Sequence, residues 1–190
     1  LDYIITGPST NFARACLYLG SSIKDYVKNV YVMGGAIHEP GNSGPIDPKT
    51  NQQPAEFNFY CDPNAVNVVL ESGLPIHLVT WDITSGLTVP YDRISKFQGD
   101  TPVSQFSITL MKSFFKYYGL ANDRNFELND PITVMAKMGY GSYREERIGI
   151  ITDGLEYGRS VLNPQGQAIN YFYLDDLEIR RRTEAELAGE

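Results

Sequence analysis

The sequence predicts an α/β fold, a mostly parallel sheet with flanking helices, followed by a small antiparallel C-terminal region. Three observations predict it. The first ninety residues alternate short apolar runs (Leu1 to Ile5, Val30 to Met33, Ile76 to Trp81) with segments of helical periodicity. That is the pattern of parallel strands buried on both faces. Polar clusters follow each of those strands: Thr6, the stretch 42–58, and Asp82. In a parallel sheet the ligand crevice lies beyond the carboxyl ends of the strands, where these clusters fall. Past residue 140 the apolar runs shorten and are separated by Asp153-Gly154 and Asn163-Pro164-Gln165-Gly166, which are turn signals of antiparallel pairing.

The elements justify themselves in order. Leu1 to Ile5 is β-branched and aromatic, and Thr6-Gly7-Pro8 ends it. Ser9, Thr10 or Asn11 can cap the next helix, whose apolar positions Phe12, Cys16, Leu17 and Leu19 keep helical spacing until Gly20 closes it. After the strand Val30 to Met33 come the Gly34-Gly35 turn and the polar loop. Asp62-Pro63 then opens a helix, with the carboxylate as cap and Pro at the first turn. Ala65, Val66, Val69 and Leu70 form its apolar face, and Gly73 stops it. A long helix is predicted from Pro102 to Tyr118, with Val103, Phe106, Leu110, Phe114 and Tyr117 on one stripe that reads as core. Tyr117 and Tyr118 at its end are candidates for ligand contact. A polar loop follows from Ala121 to Glu127, and Leu128-Asn129-Asp130-Pro131 starts a helix through Met138. Strands are predicted over Arg147 to Ile151, Tyr157 to Leu162 and Ile169 to Leu174, and the run from Asp175 reads as a solvated helix or frayed end.

Composition sets bounds on function. The 190 residues are 42% hydrophobic and 21% charged, enough for a real core and too apolar for a disordered chain. A formal charge of −7 argues against nucleic acid as a partner and suits a small polar ligand. Two cysteines make no disulfide framework in a chain this long; Cys16 reads as core, and Cys61 as a buried small hydrophobe. No apolar run approaches the roughly 20 residues that span a bilayer, and no signal peptide is recognisable, so a soluble cytoplasmic protein without membrane contact is expected. The chain opens directly on a strand with no initiator Met, which predicts a piece of a longer protein.

The stretch 42–58 carries the functional weight. Asn42, Glu56 and Asn58 sit in a loop between strand and helix, where function concentrates. Asn51 lies nearer Glu56 in sequence and rivals Asn42. Each of these groups could instead tie a turn. Asp82 reads first as the cap of the turn after its strand, His38 as an exposed loop histidine and His77 as structural within its strand.

Several stretches together resemble the inosine-uridine-preferring nucleoside hydrolases. They are Thr6-Gly7-Pro8-Ser9-Thr10-Asn11, Val32-Met33-Gly34-Gly35-Ala36, Gly41-Asn42, Ala55-Glu56-Phe57-Asn58, Asp62-Pro63 and Leu128-Asn129-Asp130-Pro131. The likeness runs from residue 1 to about Asp176, so residues 1–176 are expected to form the C-terminal portion of one such domain, with 177–190 a charged tail. The resemblance implies hydrolysis of the N-glycosidic bond of ribonucleosides to ribose and free base. It implies one Ca²⁺, with the Thr6 carbonyl and Asp130 among its ligands, and a ribose grip of Asn42, Glu56 and Asn58. The family's homo-oligomeric habit is the expectation for assembly.

Two departures stand out. The family's N-terminal motif Asp-x-Asp-x-x-x-Asp-Asp, source of the catalytic base and most metal ligands, is absent from this chain. The chain alone is therefore expected to be inactive. Where purine-acting members place His before the metal-binding Asp, this sequence has Asn129. An amide donates a hydrogen bond but cannot hand over a proton at neutral pH. The insertion between Asn42 and Glu56 also exceeds the family's usual length. The rival expectations are a lapsed enzyme that binds ribose or nucleoside without cleaving it, and an inactive fragment.

Overall fold

The computed structural model describes residues 1–117 and 125–173. The expectations for Tyr118, residues 121–124, Leu174 and the run from Asp175 lie outside the described residues. Contacts divide the chain into two units, one made of Leu1–Ile83 and Asp130–Glu190, the other of Thr84–Asn129.

In the larger unit β1 (Asp2–Ile5), α1 (Thr10–Leu19), a short α2 (Ile23–Tyr26), β2 (Asn29–Met33), α3 (Phe57–Cys61), α4 (Pro63–Leu70), β3 (Ile76–Val79) and the turn-like α5 (Trp81–Thr84) follow in order. The smaller unit holds β4 (Thr88–Pro90), α6 (Tyr91–Lys96), α7 (Pro102–Tyr117) and β5 (Asn125–Glu127). α8 (Asn129–Lys137), β6 (Ser142–Ile150), β7 (Ser160–Leu162) and β8 (Gln167–Tyr173) complete the described chain.

One six-stranded sheet runs in the order β1-β2-β3-β8-β6-β7. β1, β2, β3 and β8 are mutually parallel, while β6 is antiparallel to both β8 and β7. The antiparallel C-terminal region is thus not a separate layer: β8 returns to pair with β3, His77 opposite Asn170 and Leu78 opposite Tyr171. β6 is also longer than the predicted strand, since it begins at Ser142, and its charged run Arg144 to Arg147 carries no apolar signal. A second, two-stranded antiparallel sheet pairs β4 with β5 in the smaller unit.

The core of the larger unit follows from the apolar strands. Val30, Val32, Ile76 and Leu78 are buried against Phe12, Ala13 and Cys16 of α1 and Val66, Val69 and Leu70 of α4, with Ile148, Ile169 and Tyr171 extending the cluster. Asp62 caps α4 as its sequence position predicts, accepting from Ala65 N at 3.0 Å, and its other oxygen takes the Thr10 hydroxyl at 2.6 Å. One carboxylate thereby ties the starts of α1 and α4 together.

Two expectations are corrected. The apolar stripe of α7 is not core: Val103, Phe106 and Leu110 are 75%, 68% and 59% exposed, and Phe114 and Tyr117 are exposed as well. Phe115, off that stripe, enters the small core with Val89 and Ile94, and Met111 packs against it. Periodicity identifies residues that share a face; a unit this small has one buried side, and the helix turns a different face to it. Cys61 is exposed and not buried, because it ends α3 where the chain turns toward the Asp62 cap.

Candidate functional site

The carboxyl ends of β1, β2 and β3 deliver Thr6, Gly34 and Thr80 to one edge of the sheet. From the β2 end the chain passes through Gly35, whose φ of +78° suits glycine, into the polar loop. There it doubles back on itself: Gly41 bridges Gln53 and Ser43 bridges Ala55. The amides of Asn42 and Ser43 both donate to the Ala55 carbonyl, at 2.9 and 2.8 Å. Gly41 lies so close to that strand that a Cβ there would overlap the Ala55 carbonyl. This crossing brings Asn42 next to Glu56 despite their separation in sequence. Asn42 Oδ1 accepts from Phe57 N at 2.8 Å. Asn51 instead sits in the excursion beyond the crossing, at φ +55°, with its amide bonded to Asp47. Of the two rival asparagines, Asn42 is the one bonded beside Glu56.

Glu56 is 2% exposed and is the N-cap of α3. Its Oε1 accepts from Asn58 N at 2.8 Å, and its Oε2 from Gly35 N at 3.0 Å and Phe59 N at 3.1 Å. A capping carboxylate normally uses one or two amides of its own helix; here a third comes from the end of β2, so Glu56 couples strand to helix. Burial pushes its pKa above the ordinary value, the three amides counteract that, and the nearby Asp130 charge raises it further. Oε1 engages one donor and retains lone-pair capacity for a ligand hydroxyl. Asn58 donates through Nδ2 to the Met33 carbonyl at 3.1 Å, which leaves its side-chain oxygen as a further acceptor, and Asn42 keeps its amide NH₂ as a donor. Donor and acceptors of this kind, fixed to one rigid turn, match the mixed demands of vicinal hydroxyls.

Asp130 lies in the first turn of α8, which starts at Asn129 within the predicted Leu128-Asn129-Asp130-Pro131 opening. It is exposed overall, yet its carboxyl loses enough water to be pushed upward in pKa. The Asp130 charge lies near enough to add a small upward push to the pKa of Glu56, behind the larger effect of burial. Thr6 is exposed at the end of β1. Asn129 donates to Glu127 Oε2 at 3.3 Å. Among the described residues no group of three or more His, Cys, Asp or Glu side chains lies together. Ca²⁺ takes roughly six to eight oxygens, commonly several of them charged. Asp130 with the Thr6 carbonyl is too small a donor set to cage it unaided.

Sequence reasoning undervalued Asp82. It does not merely cap the turn after β3: its carboxylate accepts from three successive backbone amides of the loop after β2, those of Ile37 at 3.1 and 3.0 Å, His38 at 3.0 Å and Glu39 at 2.8 Å. The Tyr171 hydroxyl reaches its Oδ2 at 3.4 Å. Arg144 stacks over the Tyr171 ring at 4.8 Å and meets His38 Nε2 at 3.2 Å. Only the register of β6 and β8 brings Arg144 and Tyr171 opposite each other, so no local sequence signal marks them. His77 is structural, stacked on Tyr31 at 4.6 Å and edge-on to Tyr143 at 4.9 Å.

Residues 1–185 match the family described as inosine-uridine preferring nucleoside hydrolase. The chain belongs to that family. Among curated nucleoside hydrolase relatives, the pyrimidine-specific ribonucleoside hydrolase RihA of Shigella boydii is 28% identical over 183 residues, 91% of this chain and 52% of its own length. An uncharacterized protein of Schizosaccharomyces pombe is 32% identical over 149 residues, 76% of this chain and 44% of its own. The chain therefore spans about half the length of the curated relatives it matches. Its fold is that of the inosine-uridine preferring nucleoside hydrolase from Bacillus anthracis, with a TM-score of 0.74 at 23% identity over 98% of this chain and 59% of that one. The purine-preferring ribonucleoside hydrolase from Gardnerella vaginalis gives a TM-score of 0.72 at 20% identity, covering 100% of this chain and 60% of that one.

A further hollow lies among the described residues. A cavity of about 700 Å³ lies between residues 36–40, residues 45–50 and 52–54, and Leu155, Glu156 and Arg159. Asn42, Glu56, Asn58 and Asp130 are not on its wall, so that cluster and this hollow are distinct surfaces. No helix among the described residues is long and apolar enough to cross a membrane.

Proposed function

We propose that this chain supplies the ribose-gripping part of a nucleoside N-ribohydrolase, with Asn42, Glu56 and Asn58 holding the sugar hydroxyls. The observation that carries this reading is the buried Glu56 carboxylate, held by three amides and flanked by two tethered asparagines. A carboxylate so fixed cannot swing away as charge develops. It orients the sugar and places negative charge near an oxocarbenium-like carbon, which favours cleavage of the bond to the base. In that cleavage the base departs with the C–N electron pair and takes up a proton, while water adds to the anomeric carbon. Asn129 offers the departing base a hydrogen bond and no proton.

Asp130 and the Thr6 carbonyl are the residues that would face a Ca²⁺. Because they do not make a cage alone, no step is assigned to the ion, and the base that activates water is not among the grip residues. Activity is accordingly expected of the longer protein, and ribose or nucleoside binding of this chain. The partner is a small ribonucleoside, and the acidic charge is consistent with no nucleic-acid role. A cytoplasmic location is part of this proposal, and self-association goes with it as an expectation from the family resemblance.

The test is release of free base and reducing sugar from inosine and uridine, alongside calorimetric titration of the chain with ribose. Asn129→His is expected to speed purine release in the longer protein. An unchanged rate would assign the proton to another group. A longer protein that binds nucleoside but releases no base would favour the lapsed-enzyme reading, for which the amide at Asn129 is the specific observation. A chain that binds neither ribose nor nucleoside would sink both.

A further inference from the structure

We propose that Asp82 is a positioning residue for the ribose grip, holding the segment that carries Asn42 in register with Glu56. The inference rests on the grip being the substrate site. It starts from where the loop is anchored. Between the Gly35 amide, bonded to Glu56, and Asn42, bonded to Phe57, the chain makes no strand or helix. The far end of that span is clasped where the Gly41 and Asn42 amides donate to the Gln53 and Ala55 carbonyls, and its middle is free to shift unless something holds it. Asp82 does so from a separate strand end, with the amides of Ile37, His38 and Glu39 converging on one carboxylate. Charge-assisted bonds to backbone amides are about twice as strong as neutral ones, and three on one group fix direction as well as distance.

The clamp is itself braced. The Tyr171 hydroxyl bonds Asp82, the Thr80 hydroxyl donates to Tyr171 at 3.3 Å, and Arg144 covers the Tyr171 ring while its Nε pairs with Glu146 at 2.9 Å. Tyr171 of β8, braced by Thr80 just past β3 and by Arg144 and Glu146 of β6, thus supports an acid that touches no grip side chain. A residue needed only to end β3 would not require amides 43 to 45 positions away. Displacement of a positioning loop by about an ångström is enough to cost a large factor in binding or rate, so the effect is expected on ligand affinity and not only on stability.

The experiment compares wild type with Asp82→Asn, which keeps the shape and one acceptor oxygen but loses the charge and sets an NH₂ against the Ile37 amide or the Tyr171 hydroxyl, and with Asp82→Glu, which restores the charge. Hydrogen exchange is read at residues 37–39 and at Asn42, Ser43 and Phe57, and ribose affinity by calorimetry on the folded protein. Asp82→Asn is expected to lose about tenfold protection at 37–39, to lose protection at Asn42 and Phe57 as well, and to bind ribose about tenfold more weakly; Asp82→Glu is expected to recover part of both. Loss confined to 37–39, with Asn42 and Phe57 protected and affinity unchanged, would overturn the proposal. If wild type binds no ribose, the hydrolase reading fails, and exchange at Asn42 and Phe57 still decides whether Asp82 holds that segment. Should Asp82→Asn not fold, Tyr171→Phe carries the same comparison with a smaller shift.

Discussion

Replacing Glu56 with alanine removes the buried carboxylate that joins the end of β2 to the start of α3. The magnitude follows from what is left behind. Three amides lose their acceptor, and those of Gly35 and Phe59 are buried, where each orphaned donor costs about 1–3 kcal/mol. The third, on Asn58, is partly buried, so water can replace some of what is lost. Removing a buried charge whose pKa is already raised returns part of the total. The expected net loss is about 3–5 kcal/mol, with Glu56→Gln milder because one carbonyl oxygen remains to accept. Urea unfolding at neutral pH measures it, with an unchanged m-value as the sign that the denatured state is not what moved. The pH arm has a definite sign. A carboxyl whose folded pKa lies above its ordinary 4.5 keeps its proton longer in the folded state, so its contribution to stability falls as pH rises from 4.5 through the raised value. Glu56→Gln should flatten that decline. Alanine within about 1 kcal/mol of wild type, together with an unaltered pH slope in the glutamine variant, would refute a carboxylate that couples strand to helix.

Gly41→Ala should leave the six-stranded sheet intact but push the crossing apart, since its Cβ would meet the Ala55 carbonyl; ribose affinity should drop more than urea midpoint does. His77 has its pKa lowered by burial and its Nδ1 is without a partner among the described contacts, so stability should be lost as pH falls from its ordinary 6.5 through the lowered value, and His77→Phe should remove that acid-side slope while keeping the stack on Tyr31. Asp130→Asn removes a neighbouring negative charge, so NMR titration should show the Glu56 pKa falling back toward the usual carboxylate range. Phe115→Ala should cost about 3–5 kcal/mol in the unit formed by Thr84–Asn129, read by exchange at β4 and β5, whereas Phe106→Ser should cost little there.

What the sequence disclosed depended on how local the information was. The strands Asn29–Met33 and Ile76–Val79, the Asp62 cap with Pro63 behind it, and the polar loop at a strand end were legible because each is written in adjacent residues. The return of β8 to lie parallel beside β3 was not, since pairing across ninety residues leaves no trace in either strand. Nor was the exposed stripe of α7, because helical spacing says which residues share a side and nothing about what covers it. Around the grip, Glu56 and its asparagines were readable as polar groups in a loop. The choice of Asn42 over Asn51 on contacts needed the crossing at Gly41 and Ala55, and the hold of Asp82 on residues 37–39 needed the two strand ends side by side.

The crossing at Gly41–Gln53 and Ser43–Ala55 has an evolutionary consequence. It closes a loop whose interior, residues 44–52, makes its own turn through Asp47 and Gln52 and contributes no bond to Glu56. Lengthening a closed flexible loop is cheap, on the order of 0.6 kcal/mol for each doubling. The segment therefore behaves as an interchangeable cassette. Its length and chemistry can drift, or be rewritten by grafting, without disturbing the residues clasped at its neck, and the hollow of about 700 Å³ that it walls can change shape from one relative to the next while the clasp stays the same.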